Sequence, residues 1–307
     1  MAATTCAPER GLLDIPRVVG APTPAPASPV VPLVSAGAPW PNADAWRPAG
    51  WRTGLSPADV ADALYDLSPA RGAVDPDRAA AWAARGVTLA TVKADAAVLR
   101  DCWASQEWMW RLAEEVVGPP AVDSFWNPWS VTHELWSGVR LLDGVDGRDG
   151  FDPGLWGTGT AYVNGPHSDN SRTMACVAAH VRAGSRAAMI APLDGCDWVQ
   201  GATASVDGAV VVADFASADL IVLLGRARFR PPPGISESSP RGAFQMGLWG
   251  VPADTVRDLA GARVWVPEAR RDVVFMRGAG DAGRPVSEDR LKALAARKRS
   301  AVPRGGT

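Results

Sequence analysis

Cysteine, histidine and lysine are scarce in this 307-residue chain, and long apolar runs are missing altogether. The four cysteines and three histidines form no Cys-x-x-Cys pair and no metal-ligand spacing, so the sequence predicts neither a metal site nor a disulfide framework. Nowhere do 18 apolar residues follow one another, which argues against a membrane-spanning helix. The first residues lack a basic segment followed by an apolar stretch, and we therefore expect a cytoplasmic protein.

Charge is nearly balanced, with 31 basic and 33 acidic residues and a formal net charge of −2. This balance argues against a wholly basic nucleic-acid binder, although it leaves room for a local basic face. Nearly all the basic residues are arginines, but alanine, glycine and proline are abundant too, so arginine content alone identifies no partner. An apolar fraction of 47% predicts a chain that folds around a real core.

The N-terminal third divides into two segments. Residues 1–50 are rich in proline and alanine without apolar periodicity, and we predict a disordered arm there. Residues 51–104 carry helical patterns, the first of which is capped by Ser56. The second contains Gly-Val-Thr at 86–88 and resembles the turn and second helix of a helix-turn-helix unit. Ordinary helical packing is the alternative, because Trp82 stands where that unit takes alanine.

The remaining chain alternates strands and helices before it becomes basic. Residues 105–266 contain short apolar runs separated by helical stretches, which is typical of an α/β domain with a mostly parallel, buried sheet. Residues 267–307 lose this period and are predicted to form a basic C-terminal extension. Parallel α/β sheets bind ligands at the carboxyl ends of their strands, where loops converge. Two polar loops fit that position, at 122–136 (VDSFWNPWSVTHELW) and at 164–170 (NGPHSDN).

Three arginines alternate near the last predicted strands. Arg226, Arg228 and Arg230 would share one face of a strand, and guanidinium groups aligned in this way can follow a phosphate backbone. Arg241 adds to this predicted DNA-binding face. A solvated edge strand is the alternative interpretation.

Several segments occur in an order that resembles a known family. They are SQEWMWRLAEEVVG, VDSFWNPWSV, DGFDPGLWGTGTAYVNGPHS, AMIAPLDGCDW and LLGRARFRPPPG, over roughly residues 100–250. This ordered set resembles the DNA N6-adenine methyltransferases that phages and prophages encode. The resemblance implies a Rossmann-like methyltransferase domain, S-adenosylmethionine as cofactor, double-stranded DNA as partner and the cytoplasm of a bacterial host cell as location.

The resemblance also implies site residues. The catalytic loop would be Asn164, Gly165, Pro166 and His167, and the cofactor site would be Asp123, Asn127, Ser130 and Trp108. Methyl transfer to an exocyclic amine depends on holding the nitrogen close to the methyl carbon. An amide oxygen of asparagine and the following carbonyl would accept the two N–H bonds of the amine and localise its lone pair. An aromatic residue at the end of the loop would stack on a flipped base, and histidine would stack less well or hydrogen-bond the base edge.

Departures from the family pattern leave other hypotheses open. Ser124 follows Asp123 where the family has proline, and Gly165 and His167 replace a proline and a tyrosine of the catalytic loop. Asn-Gly is also a common turn pair. The main alternative is therefore a methyltransferase-like protein that binds DNA or another protein without transferring methyl groups. A DNA-binding regulator built on residues 75–100 is a third hypothesis, and the cytosine amine is an alternative acceptor.

Tryptophan is abundant, with 14 residues, and six of them lie between residues 103 and 136. They are candidates for a stacking platform, but packing in the core and cleft wall is the commoner use of tryptophan. His133 and His180 have no ligand partner in the pattern and are predicted to be structural.

Overall fold

The computed structural model describes residues 47, 50–69, 74–100, 102–144, 148–193, 203–232, 242–289 and 292, with the main chain alone at Arg100. The predicted N-terminal arm lies outside the described residues apart from Arg47 and Gly50, and so does Arg241. The helices of the described chain are α1 Pro57–Leu67, α2 Pro76–Ala84, α3 Leu89–Arg100, α4 Glu107–Val117, α5 Thr132–Leu135, α6 Asn170–Arg182 and α7 Ala253–Leu259. The strands are β1 Pro120–Asp123, β2 Arg140–Leu141, β3 Thr160–Val163, β4 Arg186–Pro192, β5 Thr203–Val206, β6 Ala209–Val212, β7 Leu220–Gly225, β8 Phe244–Trp249, β9 Arg263–Val266 and β10 Arg271–Arg277.

Local sequence explains where the helices begin and end. Ser56 accepts a hydrogen bond from the Asp59 main-chain N–H, and Asp59 accepts one from Ser56, so a capping box starts α1 as the sequence predicts. Gly118 follows α4 with φ +86°, and Gly184 ends the α6 turn with φ +84°. These left-handed positions favour glycine, which lacks the Cβ that would clash there.

Eight strands form one mixed sheet in the order β2-β1-β3-β4-β8-β7-β10-β9. The pairs β1–β2, β1–β3 and β3–β4 are parallel, and the four pairs from β4–β8 to β10–β9 are antiparallel. The predicted α/β class is confirmed. The sheet is mixed rather than mostly parallel, because β8 runs against both β4 and β7 and the β9–β10 hairpin extends the antiparallel half.

Helices cover both faces of the sheet. Tyr162 and Ile190 lie in the apolar cluster beneath α4, whereas their neighbours Val163 and Met189 lie in the cluster beneath α6. Both sides of the central strands are therefore buried, which is why these strands read as continuous apolar runs rather than as alternating patterns.

The sheet continues past residue 266, where the sequence predicts the end of the α/β domain. Val273 and Phe275 of β10 are fully buried. Residues 271–274 of β10 pair with β9, and residues 274–277 pair with β7. The buried residues of this strand alternate with Asp272 and the exposed Met276. The strand β10 is short, half-buried and bounded by Arg271 and Arg277. Its composition is therefore similar to that of a basic extension, which is what the sequence predicts here.

Helices α1 to α3, called the three-helix unit, pack together and against Trp129. Leu55, Val60, Val92 and Leu99 lie in an apolar cluster that also includes Trp129 of the α/β part. Gly86, with φ +73°, lies in the turn between α2 and α3. The helix–turn–helix order is present. Within the described ranges, no helix is long and apolar enough to cross a membrane.

Candidate functional site

The direction of strand addition reverses at β1, and in open α/β sheets a ligand crevice is expected at such a point. After β1 the chain forms β2 on one side of it, then returns to form β3 on the other side and continues to β4. Asp123, the last residue of β1, pairs with Tyr162, and the Ser124 N–H donates to the Tyr162 carbonyl at 3.1 Å. The carboxyl ends of β1 and β3 are therefore neighbours at a topological switch point, where open α/β sheets bind ligands. This region is called the crevice below.

The crevice joins the two loops that carry most of the candidate residues. Asp123, Asn127 and Ser130 follow β1, while the segment from Asn164 to His167 follows β3. The start of β8 reaches the same edge, because β8 is antiparallel to β4 and Phe244 pairs with Pro192 at the end of β4.

Asn164 is half-buried, and its side chain has a defined orientation. Its Nδ2 donates to the main-chain carbonyl of Trp103 at 2.5 Å, which is the hydrogen bond that the side chain makes among the described residues. The Oδ1 atom is thus left as an open acceptor. This is the atom that the resemblance assigns to an amine N–H.

The same arrangement recurs at the other two described asparagines. Asn127 Nδ2 donates to the Cys102 carbonyl at 3.0 Å, and Asn170 Nδ2 donates to the His167 carbonyl at 3.0 Å. Both side chains are buried, and the Oδ1 atom of each has no hydrogen-bond partner in the described chain. Buried acceptors of this kind are normally satisfied by protein, water or a ligand. The Asn127 and Asn170 acceptors are enclosed by the protein, whereas the half-buried Asn164 offers its acceptor to a group that carries N–H or O–H donors.

Gly165 is closely packed, and the surrounding side chains leave no room for a side chain of its own. A Cβ at this position would lie 2.7 Å from Thr173 Oγ1, 2.8 Å from Thr173 Cγ2 and 3.2 Å from Phe125 Cε2. Neither alanine nor proline fits without displacing these groups. Packing by Thr173 and Phe125 therefore restrains the loop at Gly165. Sequence patterns do not reveal these contacts.

His167 lies against aromatic side chains of the protein itself. Its ring centroid is 5.5 Å from that of Phe244 and 6.3 Å from that of Phe229. Pro166, immediately before it, is the N-cap of a short 3₁₀ turn from His167 to Asp169. The imidazole is therefore part of an aromatic cluster at the β3, β8 and β7 ends rather than an isolated loop side chain.

Asp123 is a buried carboxyl group that two hydroxyl groups bind. Its Oδ2 accepts hydrogen bonds from Ser130 Oγ at 3.0 Å and from Thr132 Oγ1. Burial raises the pKa of Asp123 to about 6, and the hydrogen bonds from Thr132, Ser130 and the Phe125 N–H lower it only in part. Asp123 and Ser130 are thus brought together, and Thr132 joins them as a residue that the sequence analysis did not identify.

Trp108 occupies a core position. It is 5% exposed, lies in the cluster between α4 and the sheet, and donates its indole N–H to Gln106 at 2.9 Å. Most of the six clustered tryptophans are likewise buried in packing contacts, as in the stacking of Trp110 on Tyr162 with ring centroids 4.7 Å apart. Trp108 therefore offers little surface to a cofactor.

The two histidines predicted to be structural are both in hydrogen-bonded packing positions. His133 Nδ1 accepts from the Trp126 indole N–H at 3.1 Å, and His180 Nε2 lies 3.1 Å from the Gly159 carbonyl. Burial lowers the pKa of both imidazoles.

The three arginines follow β7 instead of belonging to it. Arg226, Arg228 and Arg230 are exposed and alternate with the buried Ala227 and Phe229, so their side chains share the solvent side of this segment. Arg230 pairs through its main chain with Ala104, with N–H···O distances of 2.8 and 3.0 Å. The segment borders the crevice, since Phe229 contacts His167.

A main-chain segment from Cys102 to Ser105 completes the crevice and was not anticipated from sequence. Its carbonyls accept from Asn127 and Asn164, and its Ala104 pairs with Arg230. In the described ranges, no three His, Cys, Asp or Glu side chains are grouped so that they could hold a metal ion. Comparisons of the chain with protein-family models, curated proteins and solved structures found no match.

Proposed function

We propose that this chain transfers a methyl group from S-adenosylmethionine to the exocyclic amine of adenine in DNA, through a Rossmann-like methyltransferase domain. The observation that carries the proposal is the convergence of the Asp123 and Asn164 loops at the switch point, with Asn164 Nδ2 held by the Trp103 carbonyl. This arrangement presents an amide oxygen at the strand end where a ligand is expected.

The loop after β3 would hold the acceptor amine. Asn164 Oδ1 and the Gly165 carbonyl would accept its two N–H bonds, which localises the nitrogen lone pair. Close packing of Gly165 against Thr173 and Phe125 supports this role, because it restrains the two acceptors without proline. Restraint matters because most of the acceleration of an in-line transfer comes from positioning.

The loop after β1 fits the cofactor in part. S-adenosylmethionine supplies an electrophilic methyl group, and it also carries an ammonium group and ribose hydroxyls. The Asn127 Oδ1 atom is buried and has no hydrogen-bond partner in the described chain, so it would accept from such a donor on displacement of the surrounding loop. Asp123 already accepts from Ser130 and Thr132, so its carboxyl group would shape the loop around the cofactor. The exposed Arg226, Arg228 and Arg230 would contact the DNA backbone.

Transfer of tritium from labelled cofactor to duplex DNA tests this proposal. Wild-type protein should label DNA, and Asn164→Ala should label it at least a hundredfold more slowly because the amine loses its acceptor. Asn164→Asp is the matched comparison, since it keeps an acceptor oxygen but loses the donor to the Trp103 carbonyl, and its activity should fall between those of the wild type and Asn164→Ala. Absence of incorporation by the wild-type protein, with cofactor in excess, would contradict the proposal.

One observation favours a second candidate, a methyltransferase-like protein that binds a partner without catalysis. His167 packs against Phe229 and Phe244, so its ring is engaged by the protein where a flipped base would need to stack. Calorimetric titration with S-adenosylhomocysteine separates the candidates. Tight binding together with methylation of plasmid DNA would exclude the non-enzymatic one.

A further inference from the structure

The main-chain segment 102–105 connects the three-helix unit to the crevice. It follows α3 and precedes α4, and each of its first two carbonyls accepts a side-chain N–H from a crevice loop. Ala104 exchanges two main-chain hydrogen bonds with Arg230. The segment is therefore bound on both sides, by the loops after β1 and β3 and by the segment after β7.

The Trp103 carbonyl decides which end of the Asn164 amide is available. A carbonyl accepts hydrogen bonds and donates none, so it binds the Nδ2 end and leaves the Oδ1 end for a ligand. A crevice group that faces this oxygen must be a donor, such as an amine. A keto oxygen in the same place would meet an acceptor and lose its own hydrogen bond with water.

Two donors hold the neighbouring carbonyl of the segment. Trp129 Nε1 donates to the Cys102 carbonyl at 2.6 Å, and Asn127 Nδ2 donates to the same oxygen at 3.0 Å. The Trp129 ring is 5% exposed and packs in the cluster of the three-helix unit with Leu55 and Val92. The Trp129 ring is thus packed in the three-helix unit, and its indole N–H donates to the carbonyl of Cys102, the residue before Trp103.

We propose that Trp129 is a positioning residue, which fixes the Trp103 carbonyl through Cys102 and thereby keeps Asn164 oriented as a hydrogen-bond acceptor for an amine. This inference deepens the proposed function and depends on it for its catalytic consequence. It also gives the three-helix unit a place in the reaction, because that unit holds the ring from which the indole N–H extends.

Trp129→Phe tests the inference, because it keeps an aromatic ring in the cluster and removes the N–H. The Asn164 side-chain amide signal, identified in ¹⁵N-resolved spectra by its loss in Asn164→Ala, should shift and exchange faster with solvent. The kcat for methyl transfer should fall about fivefold or more, the cost of one hydrogen bond. The dissociation constant for S-adenosylhomocysteine should change by a smaller factor than kcat, since Asn127 keeps its own hydrogen bond to the Cys102 carbonyl.

Trp136→Phe is the matched control, because it loses an indole N–H bond of 2.8 Å to Glu114 that does not involve the 102–105 segment. Its Asn164 signal and kcat should match wild type. Asn127→Ala removes the other donor to Cys102 and should shift the Asn164 signal in the same direction, which keeps the test valid if Trp129→Phe does not fold. An unchanged Asn164 signal in the folded variants overturns the inference, whatever happens to kcat.

The amide signal also separates this inference from the proposed function. A wild-type protein without transferase activity, but with a Trp129-dependent Asn164 signal, would refute methyl transfer and retain the positioning. Normal kcat in Trp129→Phe with a shifted signal would refute the importance of the positioning for catalysis.

Discussion

At the scale of single residues, Gly165 shows how packing replaces covalent rigidity. Its position allows no Cβ, because Thr173 and Phe125 fill the space on that side. The same close packing leaves the main chain at Gly165 little room to move on that side. A glycine at this position is therefore compatible with an ordered loop.

Gly165→Ala should destabilise the protein by about 1–3 kcal/mol, as overpacking does in a filled interior. The measurement is the free energy of unfolding in urea. Gly54→Ala is the control, because a Cβ there would meet no atom within 4 Å. Combining Gly165→Ala with Thr173→Ala removes the obstructing Oγ1 and Cγ2, so the double variant should be more stable than the sum of the single effects. Simple additivity would contradict the packing argument.

Asp123 has a second residue-scale consequence, in the dependence of stability on pH. The pKa of the Asp123 carboxyl group is about 6 in the folded chain and 3.8 in the unfolded chain. The folded chain therefore keeps this proton to higher pH than the unfolded chain. Its contribution to stability is present below about pH 4 and is lost as the pH rises through about 6. The loss is at most about 3 kcal/mol.

Asp123→Asn should therefore flatten the fall in unfolding free energy between about pH 4 and 7 and should raise stability at neutral pH. Denaturant titrations across this range measure the difference from wild type. Asp62→Asn, on the exposed side of α1, controls for the loss of one carboxylate. If the unfolding free energy of Asp123→Asn depended on pH as that of the wild type does, the Asp123 pKa would not be raised in the folded chain.

At the scale of elements, the segment after β7 combines two properties in alternate residues. Ala227 and Phe229 point into the core while Arg226, Arg228 and Arg230 face solvent, although no regular strand continues there. Buried and exposed side chains still alternate in this segment, because an extended backbone places successive side chains on opposite sides. The crevice thus has an arginine-bearing rim.

Replacing Arg226, Arg228 and Arg230 together by glutamine should weaken duplex binding and make its salt dependence shallower. Each lost phosphate contact reduces the slope of log K against log salt by about 0.9, so three contacts account for about 2.7. Fluorescence anisotropy with labelled duplex at several salt concentrations measures this slope. The control for lost charge is the glutamine replacement of three other exposed arginines, Arg257, Arg263 and Arg277. Equal salt slopes in the two triple variants would contradict DNA binding at the arginine-bearing rim.

At the scale of the whole molecule, the mixed sheet unites a parallel half that forms the crevice with an antiparallel half that completes the core. The β9–β10 hairpin belongs to the second half, and Val266, Val273 and Phe275 are fully buried in it. Each such side chain contributes about 1.5–3 kcal/mol on burial, so the three together approach the net stability of a typical domain.

A chain that ends at Ala260 should therefore fail to form a stable monomer, since β7 loses its pairing with β10 and the core loses these three residues. A chain that ends at Asp289 keeps the hairpin and should fold. Size-exclusion chromatography and the urea midpoint distinguish the two. A cooperative unfolding transition in the shorter chain would show that the sheet is complete without the hairpin.

The sequence predicts elements better than their assembly. The α1 cap at Ser56 and the short apolar runs that became buried strands follow from local patterns, because hydrogen bonding of caps and continuous apolar runs are local properties. Strand direction and β10 do not follow, since antiparallel pairing of β8 and burial of Val273 and Phe275 depend on partners distant in the chain.

The sequence by itself determined that loops at 123–130 and 164–167 carry polar side chains after apolar strands, and that the chain is of the α/β class. Only the tertiary structure decided that these loops are neighbours and that Cys102 and Trp103 supply the carbonyls that orient Asn127 and Asn164. It also turned Trp108 into a core residue and enclosed Gly165. The physical reason is that the sequence specifies which side chains are present. Which atom of an asparagine amide can accept a ligand depends instead on which main-chain carbonyl, distant in the sequence, binds its Nδ2.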